Sequence, residues 1–213
     1  MFDFLAQSAS EKNLSLPIFP LNTVLFPGGL LPLKVFEQRY MDMSKKCLSE
    51  NTPFGVCLLK AGGEVAAAEG VDPVPEHIGT LAQIVDWDMP QLGVLHLKAV
   101  GTKRFQLVSH HLAQNGLMIG EIRLLPPSQS KIRIALPEKQ AVCAQVLKMI
   151  VAKLGEARFH PPFDFADAEW VGYRLAEALP LKLVAKQNML EMNDAVMRLE
   201  ILHKFLASQG LVA

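Results

Sequence analysis

The sequence predicts an α+β fold, an antiparallel β-rich half followed by a helical bundle, on three observations. Up to about residue 125 the chain runs in short uncharged or alternating segments separated by Gly, Pro and Asn turns. A composition break follows at Pro126-Pro127-Ser128-Gln129-Ser130. Beyond about residue 137 the apolar period changes from two residues to 3.6. The expected division is an N-terminal extension at 1–13, a β-rich unit at 14–127 and a helical subdomain at 128–213.

Asn13 to Leu33 carries no charge and is long enough to span a bilayer as a helix. Pro17, Pro20, Pro27, Pro32, Gly28 and Gly29 interrupt it, and a helix broken so often leaves backbone groups unpaired in hydrocarbon. The segment therefore reads as buried strands with a Pro-Gly loop, and no membrane association is expected. Val35 to Leu48 follows, with Tyr40, Met43, Cys47 and Leu48 near helical spacing, a helix of about three turns. Glu37 and Arg39, two residues apart, are not expected to face each other on that helix. Glu37 suits its positive end, and Arg39 and Tyr40 tie it to the sheet. Pro53 to Leu59 is an interior strand, followed by a loop containing Gly62, Gly63, Gly70, Pro73 and Pro75 and by the uninterpretable small-residue run Ala66 to Ala68.

From Ile78 the pattern predicts a meander of four strands at Gly79–Trp87, Gly93–Val100, Arg104–His110 and Leu117–Leu124. The expected turns are Asp88-Met89-Pro90-Gln91, Gly101-Thr102-Lys103 and Asn115-Gly116. Leu95, Leu97 and Ala99 alternate with His96 and Lys98, giving one core face and one wet face. Pro137 opens the first C-terminal helix, with Val142, Val146, Met149 or Ile150, and Lys153 or Leu154 on one face and Gly155 as its stop. Asp167 caps a helix over 168–179 that Pro180 ends. Leu183 to Met192 forms a third helix. Asn193-Asp194 caps a fourth, with Val196, Leu199, Leu202, Phe205 and Leu206 as its apolar stripe.

Composition narrows function. With 213 residues, 50% apolar and 20% charged, the chain supports an ordinary packed core and is not disordered. Twenty-one basic side chains balance twenty-one acidic ones, removing the long-range attraction that nucleic acids and anionic membranes exert on basic proteins. Three cysteines, Cys47, Cys57 and Cys143, fit neither a disulfide framework nor a C-x-x-C site, and Cys57 reads as a buried structural thiol. Asp3 and the lack of a sustained apolar run argue against a signal peptide, so the cytoplasm is the expected location. Six histidines show no metal-ligand spacing, and there is neither a G-x-S-x-G elbow nor a G-x-x-x-x-G-K-[ST] loop. No cofactor, metal or catalytic residue is expected.

Apolar residues in turns are the candidates for binding, because a core role is less automatic there. They are Phe26 and Pro27 in the first loop, Trp87, Met89 and Pro90 at the first meander turn, and Phe159 and Phe163, flanking His160-Pro161-Pro162, between two helices. Met adapts to varied apolar partners and Trp supplies contact area.

Three separated strings carry a family resemblance: Leu16-Pro17-Ile18-Phe19-Pro20-Leu21, Val24-Leu25-Phe26-Pro27-Gly28, and Pro32-Leu33-Lys34-Val35-Phe36-Glu37-Gln38-Arg39-Tyr40. Together they resemble the opening of the N-terminal substrate-recognition domain of ATP-dependent Lon proteases. Ile78-Gly79-Thr80-Leu81-Ala82-Gln83-Ile84, Gly101-Thr102-Lys103-Arg104-Phe105, Lys186-Gln187 to Leu190, and Arg198-Leu199 continue it in order, over roughly residues 14 to 206. The resemblance implies a six-stranded PUA-like pseudobarrel followed by a mostly helical subdomain, a domain also found in cereblon, a ubiquitin-ligase adaptor. It implies contact with unfolded or apolar-segment polypeptides, or with a protease or other protein partner. The Lon ATPase and protease modules have no counterpart in these 213 residues, so a non-enzymatic, free-standing recognition or adaptor module is expected, with weak self-association compatible. Because related barrels bind RNA, an RNA-binding domain is the alternative; the balanced charge and scattered Lys98, Lys103, Arg104 and Arg123 disfavour it. A hydrolase would be inheritance from Lon alone.

Overall fold

The computed structural model describes residues 13–62, 72–126 and 133–212. Residues 1–12 of the expected extension, the run 66–68 with Gly63 and Gly70, and the Pro-Ser linker beyond Pro126 lie outside them. Six strands, β1 (Leu14–Leu21), β2 (Leu30–Val35), β3 (Phe54–Ala61), β4 (Val74–Gln91), β5 (Val94–Leu112) and β6 (Met118–Leu124), precede four of the five helices. Helix α1 (Gln38–Glu50) sits between β2 and β3; α2 (Ala141–Leu154), α3 (Ala168–Ala178), α4 (Leu183–Glu191) and α5 (Ala195–Ser208) follow the sheet. The α+β class is as the sequence predicts.

Strand order is β2-β5-β4-β3-β1-β6, and β6 also pairs with β5. Five strands thus close a ring, and β2 is added to the outer edge of the first half of β5. The pairings are antiparallel except for β1 with β3, because the chain returns to β1's side only after passing through β2 and α1. Leu95, Leu97 and Ala99 point inward as their alternation predicts, while His96 and Lys98 are exposed.

The expected four-strand meander is three strands. Gly101-Thr102-Lys103 is not a turn: β5 runs straight through it, pairing with β2 before it and with β6 after it. The glycine is needed for space, since a Cβ there would lie 2.2 Å from the carbonyl oxygen of Phe26. Gly28 N–H donates to Gly101 O at 2.7 Å and Gly101 N–H to Gly29 O at 2.9 Å, sealing the first loop onto the strand. Asp88 to Gln91 is not a turn either. Strand β4 continues to Gln91, and the reversal falls at Leu92-Gly93, where Gly93 has φ 83°. The Asn115-Gly116 turn is where it was expected, with Asn115 Oδ1 accepting from Leu117 N–H and Gly116 at φ 78°.

Helix α1 also differs in one respect. Glu37 stays extended before the helix, so helical spacing does not govern it, and its carboxylate pairs with Arg39 Nη2 at 3.0 Å. Arg39 Nη1 donates to Gly116 O at 2.8 Å and Tyr40 stacks on Phe19 at 3.8 Å, which ties the helix to the barrel. In α2 the buried face is Cys143, Ala144, Val146, Leu147 and Val151, rotated from the expected one, and Met149 faces solvent. Asp167 caps α3 through Trp170 N–H, and Asp194 caps α5 through Val196 and Met197 N–H, as read from the sequence.

The helices do not form a separate body. Val24, Phe26 and Leu58 of the barrel belong to the same buried cluster as α2, α3 and α5. Three buried side chains cross the junction to backbone carbonyls. Arg104 Nη1 donates to Leu190 O at 2.8 Å, Arg174 Nη2 to Pro27 O at 2.8 Å, and Gln187 Nε2 to Ile78 O at 3.0 Å.

Candidate functional site

The part of the fold that stands away from this core is the far end of the β4–β5 hairpin. Strand β3 accompanies β4 only as far as the Phe54–Ala82 pair, whereas β2 flanks β5 from Val100 to Leu95. Beyond Ala82 the outer edge of β4 has no strand partner among the described residues. The consequence shows at one cross-strand pair. Leu97 has Leu33 of β2 beside it and is 2% exposed, while its partner Trp87, on the open side, is 56% exposed.

Register shifts between Ile84 and Asp86, and between Asp88 and Gln91, leave Val85, Met89 and Pro90 out of the ladder. Pro90 has no N–H to offer there. Val85, Trp87, Met89 and Leu92 are all exposed, Leu92 at 93%. Of these, Trp87 lines a groove of about 510 Å³ that brings it together with Pro32 and Leu33. Its rim is charged: Asp86 accepts from Lys98 Nζ at 2.8 Å, and this hydrogen bond holds the Asp86 carboxyl below its ordinary pKa. Asp88 pairs in register with His96 along the same strands. The arrangement offers an apolar contact surface, a polar rim and a free main-chain edge, the ingredients for holding an extended chain.

The structure does not gather the sequence-derived candidates into one surface. Trp87, Met89 and Pro90 share the hairpin end, and all three are exposed. Phe26 is fully buried against Tyr173, ring centroids 5.6 Å apart, because the Gly28–Gly101 bonds draw its loop onto β5. Pro27 is half-buried and lines a second cleft, between barrel and helices. Phe159 is in the helical core. Phe163 is half-buried in an aromatic cluster with Phe165 and Trp170, at 6.1 and 5.8 Å. Val85 and Leu92 were not among the candidates. Leu92 was recognisable in principle, as an apolar residue beside the Gly93 turn; Val85 depended on a bulge that no local pattern marks.

The three thiols are buried and unpaired. Burial pushes Cys57 up to about 12 and Cys143 up to about 11, and raises Cys47, so none is a poised nucleophile. Among the described residues no group of three or more His, Cys, Asp or Glu could hold a metal ion, and no helix is long and apolar enough to cross a membrane.

Comparison with known proteins agrees with this architecture. Residues 15–208 match the family model of the ATP-dependent protease La (LON) substrate-binding domain. Lon protease 2 of Herpetosiphon aurantiacus is 24% identical over 211 residues, 94% of this chain and 24% of that protein. Protein cereblon of Gallus gallus is 24% identical over 115 residues, 52% of this chain and 24% of that protein. The chain therefore spans about a quarter of the length of these relatives. Among solved structures, the Lon N-terminal domain protein from Xanthomonas campestris superposes with a TM-score of 0.71 at 34% identity, covering 90% of this chain and 98% of that one. The N-terminal domain of Mycobacterium avium complex Lon protease shares the fold, with a TM-score of 0.55 at 16% identity over 91% of this chain and 98% of that one. The family model covers nearly the whole chain and the fold matches over 90% of it: this protein belongs to the Lon substrate-binding domain family.

Proposed function

We propose that this chain is a polypeptide-recognition module that acts by binding rather than chemistry, and that the β4–β5 hairpin end holds exposed apolar segments of client chains. The observation that carries the reading is the exposed set Val85, Trp87, Met89 and Leu92 beside the unpaired edge of β4. Large apolar side chains grouped on a projecting element are costly to leave in water and mark interaction surfaces. The open edge supplies main-chain donors and acceptors to an extended partner, and Trp and Met supply contact area. Family membership supports a polypeptide as the ligand. The buried, high-pKa thiols support binding over catalysis and fit a cytoplasmic location. With net charge zero, RNA gains little electrostatic attraction.

A surface of this size predicts an affinity near micromolar. A fluorescein-labelled, permanently unfolded protein, reduced and carboxymethylated, is expected to bind saturably in an anisotropy titration. The double substitution Trp87→Ala, Met89→Ala is expected to weaken that binding at least tenfold, since such anchors carry about 2 kcal/mol or more each. Both side chains are exposed, so the thermal midpoint is expected to stay within a few degrees. Unchanged affinity in the double variant would remove the hairpin from the site.

A further inference from the structure

The open edge of β4 beyond Ala82 carries acidic side chains next to its apolar ones. Asp86 and Asp88 are two residues apart with no register shift between them, so both point to the wet face that His96 and Lys98 share. Trp87, between them, points to the opposite face with Leu97. Lys98 neutralises Asp86 through the ion pair at 2.8 Å. Asp88 stands opposite His96, is exposed, and makes no hydrogen bond or ion pair among the described residues. A further negative contribution comes from α1. Gln83 Nε2 donates to Asn51 Oδ1 at 3.0 Å, which sets the C-terminal end of that helix beside β4 where the open edge begins. That end is the negative pole of the helix, and its last turn holds Glu50 and no basic residue.

The cations of this region stand farther back. Lys98 and His96 are on β5, one strand inward from Asp86 and Asp88, and Lys34 is on β2, one strand farther still. Lys46 precedes the last turn of α1. With about 4.8 Å between strands, a chain laid along the open edge has Asp86 and Asp88 on the strand beside it, β5 about 10 Å away and β2 about 14 Å away. Both of the latter distances exceed the screening length of about 8 Å at physiological salt. The edge therefore presents uncompensated acid on one face and Trp87 on the other, with Val85 and Met89 at the flanking bulges.

We infer that the β4 edge selects extended client segments in which lysine or arginine alternates with apolar residues. In such a strand one face sets basic side chains beside Asp86 and Asp88, as opposite charges pair across neighbouring strands, and the other sets apolar side chains beside Trp87. The inference rests on the polypeptide-recognition reading above and adds the charge pattern of the client. A second copy of this chain suits the edge poorly. Edge-to-edge antiparallel pairing about a two-fold axis through Trp87 sets each Asp86 opposite an Asp88, and Pro90 withholds an N–H.

The test uses three fluorescein-labelled peptides with the cores Leu-Lys-Phe-Lys-Leu, Leu-Ser-Phe-Ser-Leu and Leu-Glu-Phe-Glu-Leu between Gly-Ser flanks, titrated by anisotropy at about 50 mM salt. The lysine peptide is expected to bind about fivefold more tightly than the serine peptide, and the glutamate peptide more weakly than both, with the spread shrinking at about 500 mM salt. Because the chain's net charge is zero, its overall charge favours none of the three. Asp88→Lys is expected to reverse the order of the lysine and glutamate peptides, and Trp87→Ala with Met89→Ala to weaken all three. Equal binding of the three peptides, or a lysine preference kept in Asp88→Lys, would overturn the inference, as would a dimer of the free protein that the peptides dissociate. If the three bind equally and Trp87→Ala with Met89→Ala still weakens them, only this inference fails. If neither the peptides nor unfolded protein binds, the recognition reading falls as well.

Discussion

Gly101→Ala is expected to lower stability by about 3 kcal/mol or more, the upper end of what a single added methyl does in a packed interior. The new Cβ would lie 2.2 Å from Phe26 O and 3.0 Å from its carbonyl carbon. The obstacle is backbone, so no side-chain rotation relieves it. The loop could retreat only by giving up the Gly28–Gly101 and Gly101–Gly29 hydrogen bonds and the 2.6 Å bond from Thr80 Oγ1 to Leu25 O. Phe26 would move with it, loosening the core that barrel and helices share. Gly93→Ala is the control. Its Cβ meets nothing within 4 Å, and only the positive φ penalises it, at about 1–2 kcal/mol. Urea unfolding of both variants decides: a Gly101→Ala loss no greater than that of Gly93→Ala would mean that the loop is not sealed on β5.

The second large effect is expected from Arg104→Met, which keeps the stem's volume and deletes the fork. It strips the donor from Leu190 O and from Asn193 Oδ1, both at 2.8 Å, and leaves the loop between α4 and α5 without its link to the barrel. Leu190 is buried, and a buried acceptor without a partner costs about 1–3 kcal/mol, whereas the exposed Asn193 amide can turn to water, so a loss of about 1–3 kcal/mol is expected. Arg104→Lys is expected to recover little, because one ammonium cannot serve both acceptors in the guanidinium geometry. A loss below about 1 kcal/mol in Arg104→Met would show that apolar contact alone holds the helices to the barrel.

These two residues show what was legible in the sequence and what was not. Local signals placed most elements. Alternation at Leu95, Leu97 and Ala99 marked the inner face of β5, Asp167 and Asp194 marked helix starts, and Asn115-Gly116 marked a hairpin. Turn chemistry misled where glycine or proline answered a tertiary demand. Gly101 makes room for the Phe26 carbonyl within a continuous strand, and Pro90 sits at a bulge on an unpaired edge, where its missing N–H costs no ladder bond. Phe26 and Phe159, apolar residues in loops, are core residues because their loops are drawn onto β5 and into the helical cluster. Tyr173 and Arg198, whose guanidinium lies 4.0 Å over the ring, come together only through the packing of α3 against α5, which no spacing within either helix encodes.

The central claim is that the end of the β4–β5 hairpin grips extended apolar chain. Hydrogen–deuterium exchange with and without reduced, carboxymethylated client protein tests it most directly, because an added strand protects the amides it covers. Slowed exchange at residues 84–92, absent in the Trp87→Ala, Met89→Ala variant, is the expected result. Client binding that leaves those amides exchanging as fast as in the free protein would contradict it.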